Sequence, residues 1–122
     1  MKAANAYLLS KESLALQLSE TEFVLKTQRQ IVKDFGTQGV DFPLEFQHSV
    51  VSVDQLLHAI SQQTKTLESS NPTALSQLLY QIDVPESILA DLTQTDDFHL
   101  QLSEVILRRE AYKVFLRQKF SS

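Results

Sequence analysis

Residues 97–120 carry two apolar stripes where most helices carry one, and that pattern limits what the chain can become. With about 100° between successive residues of an α-helix, Phe98, Leu102, Val105, Tyr112 and Leu116 share one side, with Arg109 in the gap of the series. Leu100, Leu107, Ala111 and Val114 lie opposite, with Ser103 at the remaining seam position. A surface helix has a single apolar face. A helix with two must be covered twice, by its own chain or by a second copy. The charged side chains Glu104, Arg108, Glu110, Lys113 and Arg117 fall mostly between the stripes. The segment reads as the central strut of a helical bundle or the seam of a dimer.

The start of the chain repeats the theme. A first helix is expected from about Ala4 to Phe35, with Tyr7, Leu14, Leu18, Leu25, Val32 and Phe35 on one face. Leu9, Leu16 and Phe23, each seven apart, form an opposite stripe over its first half. Ser19 and Glu22 have the spacing of a capping box, which leaves a break near residue 19 as the alternative to one continuous helix. Gly36 is placed to end the helix, with Lys33 in its last turn. Residues 16–20 and 100–104 both read Leu-Gln-Leu-Ser-Glu. Five common residues do not make a repeat architecture.

Between these two segments the periodicity predicts an outer helix and a broken one. Asp41 and Pro43 suit the start of the second helix. Phe46, Val50, Val53, Leu57, Ile60, Thr64 and Leu67 give it a seam, and His48, Gln55, His58, Gln62 and Lys65 a polar back. Asn71 and Pro72 suit the cap and first position of a third helix with Leu75, Leu78, Leu79 and Ile82 inside. Pro85 stops it, because the residue before a proline avoids helical angles. A second short piece follows to Leu92, with Asp83 as its expected cap and Ile88, Leu89 and Leu92 buried. Thr95 then caps the last helix, with Asp96 and Asp97 in its first turn. The fold class is all-α: an antiparallel bundle of about four helices, the third broken into two short ones.

Composition narrows the function. The chain has 122 residues, enough for a single helical domain spanning 1–122 with an ample core. Two Gly and three Pro argue against a turn-rich β protein. With no Cys there is no disulfide, thiolate metal site or cysteine nucleophile. No Gly-x-Ser-x-Gly elbow or glycine-rich phosphate loop occurs, so no enzyme is expected and no cofactor. Glu45 and His48 have the Glu-x-x-His spacing of di-iron bundles, but both point away from the seam of their helix, so no metal site is expected. The three His are expected at the surface. No run has membrane-spanning length and the first ten residues lack a signal-peptide core, which places the protein in the cytoplasm.

Charge is unevenly distributed around a net of -4. No Lys or Arg lies between Lys65 and Arg108, while Arg108, Arg109, Lys113, Arg117 and Lys119 crowd the last helix. A mildly acidic chain does not favour nucleic acid. Residues 75–92 nevertheless have the rhythm of a helix-turn-helix, with Asp83 where Gly is usual. Its second helix carries Glu86 and Asp91 and no cation, so phosphate would repel it.

These features favour a small non-catalytic interaction or assembly protein, forming a homodimer or binding a helical partner. The alternative is a DNA-binding regulator using residues 75–92. The candidate interaction residues are Leu9, Leu16, Phe23, Leu100, Leu107 and Val114 on the second stripes, with Arg108, Arg109, Lys113 and Arg117 beside them. Arg109, inside an apolar stripe, calls for a partner such as Glu45, Asp83 or Glu104. If it serves assembly, Arg109→Leu should alter assembly or binding and leave the fold intact.

Overall fold

The computed structural model describes residues 8–92 and 97–120. Among these residues there are six α-helices, one short 3-10 helix and no strand: α1 (Lys11–Gln17), α2 (Thr21–Gly36), the 3-10 turn (Leu44–Gln47), α3 (Val53–Ser70), α4 (Pro72–Ile82), α5 (Glu86–Leu92) and α6 (Phe98–Phe120). No helix among them is long and apolar enough to cross a membrane. The expected start of the first helix at Ala4, with Tyr7, and the expected cap at Thr95, with Asp96, lie outside the described residues.

The long helix α6 is the strut. It packs against each of the other five α-helices, most extensively against α3 and then α2. Both stripes are covered within the chain over its middle: Leu102 and Val105 on one side, Leu107, Ala111 and Val114 on the other, are all buried. Ile106 and Ser103 between them are buried too.

The expected four helices become six, and the first correction is at the N-terminal helix. It breaks after Gln17. Leu18 closes α1, the Ser19 hydroxyl donates back to the Leu16 carbonyl at 2.6 Å, and extended Glu20 opens α2. Glu20 makes no side-chain cap, so the predicted Ser19–Glu22 box does not form. The break resolves the two-stripe pattern: Leu9, Leu14 and Phe23 all turn into the core, and Leu16 is left 70% exposed. Ser10 caps α1 by accepting from the Ser13 amide at 3.1 Å.

The second correction concerns residues 41–52, which are not the start of a helix. Gln28, fully buried on α2, holds this stretch in another conformation. Its amide donates to the carbonyls of Phe46 at 2.7 Å and Ser49 at 2.8 Å, and its oxygen accepts from the Val51 amide at 3.0 Å. A distant side chain thus satisfies backbone groups that a helix would pair within itself. Phe42 packs edge-on to Phe35 and stacks on Phe46, which anchors the loop apolarly. Helix α3 starts only at Val53, with Ser52 and Gln55 forming a reciprocal capping box. Val50 and Val53 are consequently 43% and 42% exposed, and the buried seam runs through Leu56, Ile60, Thr64 and Leu67.

Asn71 ends α3 and caps α4 by accepting from Ala74, with Pro72 in the first turn, as the sequence predicts. Asp83 ends α4 in the left-handed region at φ 72° and does not cap the next helix. Asp is among the few non-glycine residues that tolerate this conformation. Its amide bonds back to Leu79 and Tyr80.

Candidate functional site

The ten residues singled out from the sequence separate into three groups. Leu9, Phe23, Leu107 and Val114 are at most 4% exposed and packed inside the chain's own core. They are therefore not free surface, because intramolecular burial has already used both stripes there. Leu16 and Leu100 remain open, at 70% and 56%. The cations take specific internal partners. Arg108 donates Nε to the Leu9 carbonyl at 2.8 Å, while the Leu9 amide donates to the Arg108 carbonyl at 3.2 Å, tying the chain before α1 onto α6. Arg109 donates Nε to the Ile82 carbonyl at 3.0 Å and Nη2 to Asp83 at 3.2 Å. Of the three acids that could have met it, Asp83 does; Glu104 pairs instead with Lys11 at 3.2 Å.

Two surface features flank α6. Near its N-terminal half, α1, the start of α3 and α6 leave an apolar hollow of about 220 Å³. Leu14, Ala15, Leu18, Val53, Leu57 and Leu107 wall it, and the Lys11–Glu104 ion pair sits at the rim. Leu100 belongs to the same stripe of α6 as Leu107, about two turns earlier, and projects to solvent. Near the C-terminal half, α2 and α6 enclose a cleft of about 360 Å³ with Lys26, Arg29, Lys33 and Arg117 on its walls and Gln30 and Val114 within it.

Beneath that cleft is a buried polar cluster that the sequence did not reveal. Asp34 of α2 accepts from Lys113 Nζ at 2.9 Å and from Gln30 at 3.1 Å. Glu110 of α6 is fully buried, with Lys113 3.3 Å from Oε1, and neither of its oxygens makes a hydrogen bond among the described residues. Burial pushes the Glu110 carboxyl well above the ordinary carboxyl range. The Asp34 carboxylate beside it adds to the rise, and Lys113 offsets only part. Burial alone would raise Asp34 as well, but the neighbouring Glu110 carboxyl and the hydrogen bonds from Lys113 and Gln30 outweigh it and hold Asp34 low. The two carboxyls are thus driven apart, Glu110 toward its neutral form and Asp34 toward its charged one.

His99 is the second feature missed. His48 and His58 are exposed as expected, but the His99 side chain is only 16% exposed. Its Nδ1 lies 3.1 Å from Thr64 Oγ1 and its Nε2 2.9 Å from Glu68, bolting the start of α6 to α3. Hydroxyl, imidazole and carboxylate come in the order of a nucleophile relay. Thr64 is nonetheless fully buried and its hydroxyl donates to the Ser61 carbonyl, so no substrate atom can reach it. Among the described residues no group of three or more His, Asp or Glu side chains is placed to hold a metal ion. Between α4 and α5 the chain turns at left-handed Asp83, and α5 carries Glu86 and Asp91 with no cation. Comparison of the chain with protein-family models, with curated proteins and with solved structures found no match.

Proposed function

We propose that this chain is a non-catalytic helical-bundle protein that works by assembly, pairing with a second copy through α1 and the N-terminal half of α6. The observation that carries this reading is the apolar hollow beside Leu100. A cavity walled almost wholly by aliphatic side chains favours an apolar occupant, and Leu100 is an apolar side chain without cover on the same stripe.

The two features suit an isologous contact. Leu100 precedes Glu104 and Leu107 by four and seven residues, or about 6–10 Å along the helix axis. A two-fold axis between knob and hollow lets two antiparallel α6 segments each insert Leu100 into the other's hollow. Lys11 and Glu104 at the rim supply charges of both signs, so each copy can meet its opposite across the axis. The assembly of the notional second stripe is thereby confined to its uncovered end.

Light scattering of the full chain over a range of concentrations tests this. The expected mass is that of a dimer, and Leu100→Asp should return it to a monomer with unchanged helicity, since the side chain is 56% exposed. A wild-type chain that stays monomeric at every concentration overturns self-assembly.

A further inference from the structure

The cleft between α2 and α6 is a different surface, and its chemistry differs. Lys26, Arg29 and Lys33 sit at intervals of three and four on α2, one face of the helix, and span about 10 Å of its length. Arg117 faces them from α6. Among the described residues no acid lines the cleft. The acids beneath it cannot neutralise it: Asp34 is engaged by Lys113, and Glu110 is buried. The pair Glu22–Lys26, at 3.4 Å, lies out in solvent with Glu22 81% exposed, where it is worth little.

Both arginines are held in place by neutral acceptors. Arg117 Nη2 donates to Gln30 Oε1 at 2.8 Å, and Arg29 Nε donates to the Gln47 carbonyl at 3.0 Å. A guanidinium has five N–H donors, so each keeps most of its donors and all of its charge. Gln30 is itself 7% exposed and aligned by its bond to Asp34, which Lys113 anchors. The exposed Arg117 is therefore aimed by a buried network that ends in a fixed ion pair. Preorganisation of this kind lowers the cost of ordering a binding site.

We infer that this cleft binds a small ligand carrying a chain of phosphate groups, its oxygens shared between the α2 row and Arg117. Four cations spread along and across the cleft exceed what one phosphoryl group can touch, so linked phosphates fit better than a single one. Guanidinium groups match phosphate oxygens in a fork that ammonium groups supplement. The volume of about 360 Å³ lies at the small end of the roughly 300–1,000 Å³ of small-ligand sites. A concave pocket on a chain of net charge -4 suits such a ligand better than a nucleic-acid backbone, which needs an extended basic track. Neither the site nor its ligand depends on self-association at the other half of α6.

The test is an amide NMR titration of the full chain with inorganic tripolyphosphate, with orthophosphate, a nucleoside triphosphate and a short duplex DNA as parallel arms. Saturable shifts confined to residues 26–33 and 114–118 are expected, with orthophosphate at least about tenfold weaker because it reaches fewer cations. Lys33→Gln is the cleanest variant, since Lys33 makes no hydrogen bond or ion pair among the described residues. It should weaken tripolyphosphate about three- to tenfold, the scale of one partly exposed charge contact, at an unchanged melting temperature. Arg117→Gln should weaken it at least as much. Tighter binding of the nucleotide than of tripolyphosphate assigns the phosphate chain to a nucleotide, and equal binding assigns it to the phosphates alone; both support the site. Absence of saturation at millimolar tripolyphosphate, indifference to Lys33→Gln, or preference for duplex DNA overturns it.

Discussion

The pentapeptide Leu-Gln-Leu-Ser-Glu occurs twice, and the two copies do opposite things. Residues 16–20 straddle the break between α1 and α2, whereas residues 100–104 lie within the unbroken α6. Their local chemistry is the same. In each, the serine hydroxyl donates to the carbonyl three residues back, Ser19 to Leu16 at 2.6 Å and Ser103 to Leu100 at 2.7 Å. In each, the first leucine stands in solvent. The difference lies in the third position and beyond. Leu102 is fully buried and followed by Val105, Ile106 and Leu107 inside the core; Leu18 is only partly buried and followed by Thr21 and Glu22 in solvent before burial resumes at Phe23. Continuous burial keeps α6 helical on both faces. Where burial lapses, the chain bends and turns both of its stripes toward one core. Tertiary packing decides between helix and break where propensity is indifferent.

That contrast predicts unequal costs for equal changes. Leu102→Ala should destabilise the fold by about 3 kcal/mol, through lost burial and the cavity left behind. Leu18→Ala should cost about 1 kcal/mol, because its side chain is partly exposed and borders the hollow. Urea unfolding of both variants measures the difference. Equal losses would mean that the break is held as firmly as the strut, and that burial is not what separates the two copies.

What the sequence shows follows from the same logic. The double stripe of α6, the Asn71–Pro72 junction and the stop at Pro85 are local patterns, and they read correctly. The break at residues 18–20 reads only as the alternative to one continuous helix, because its residues form a good helix elsewhere in the chain. The loop before α3 does not read correctly, because Gln28 clamps it from a distant position on α2. At the sites, Leu100 and Arg117 are visible as an uncovered apolar and a clustered cation. Lys26, Arg29 and Lys33 belong to the exposed face of α2, and only the packing of α6 beside it sets Arg117 across from them. Asp34 and Glu110 lie on helices from opposite ends of the chain, and no periodicity brings them together.

The helices that leave the two copies, α2 and α6, meet at that carboxyl pair, and here the strut carries a cost. At neutral pH the fold must either hold a proton on Glu110 or bury a charge. The unfolded chain releases that proton near the ordinary value of 4.5, and the folded chain holds it to higher pH. The folded state thus binds more protons across this window, so Glu110 lowers stability as pH rises through it. Asp34 acts in the opposite sense: its lowered value adds stability above about its ordinary 3.8, which is lost as pH falls. Glu110→Gln keeps the shape and removes the titration. It should stabilise the protein at pH 7 by at most about 3 kcal/mol, the cost of holding a proton about 2.5 pH units above its ordinary value of 4.5. The gain should shrink toward zero below pH 4.5, where wild-type Glu110 is protonated in both states. Thermal melts of both proteins from pH 4 to 8 measure it, and a gain that does not change with pH would place the proton elsewhere.

The smallest effect probes the break directly. Glu20 occupies the N-cap of α2 in an extended conformation but makes no capping bond, so the Phe23 amide lacks the partner a shorter side chain would offer. Aspartate at that position reaches the first-turn amides and also places its charge at the positive end of the helix. If α2 always starts at Thr21, Glu20→Asp should stabilise the fold by about 0.5–1 kcal/mol. If the chain instead samples a continuous helix through residues 18–20, the same change acts against that population, because aspartate is a poor residue in a helix interior. Phe23 and Leu9 would then leave the core together, since both depend on the bend to face it. Chemical denaturation of Glu20→Asp beside Glu20→Ala separates the cases. Asp above Ala in stability marks a true helix start, whereas Ala above Asp would show that the first copy of the pentapeptide behaves like the second.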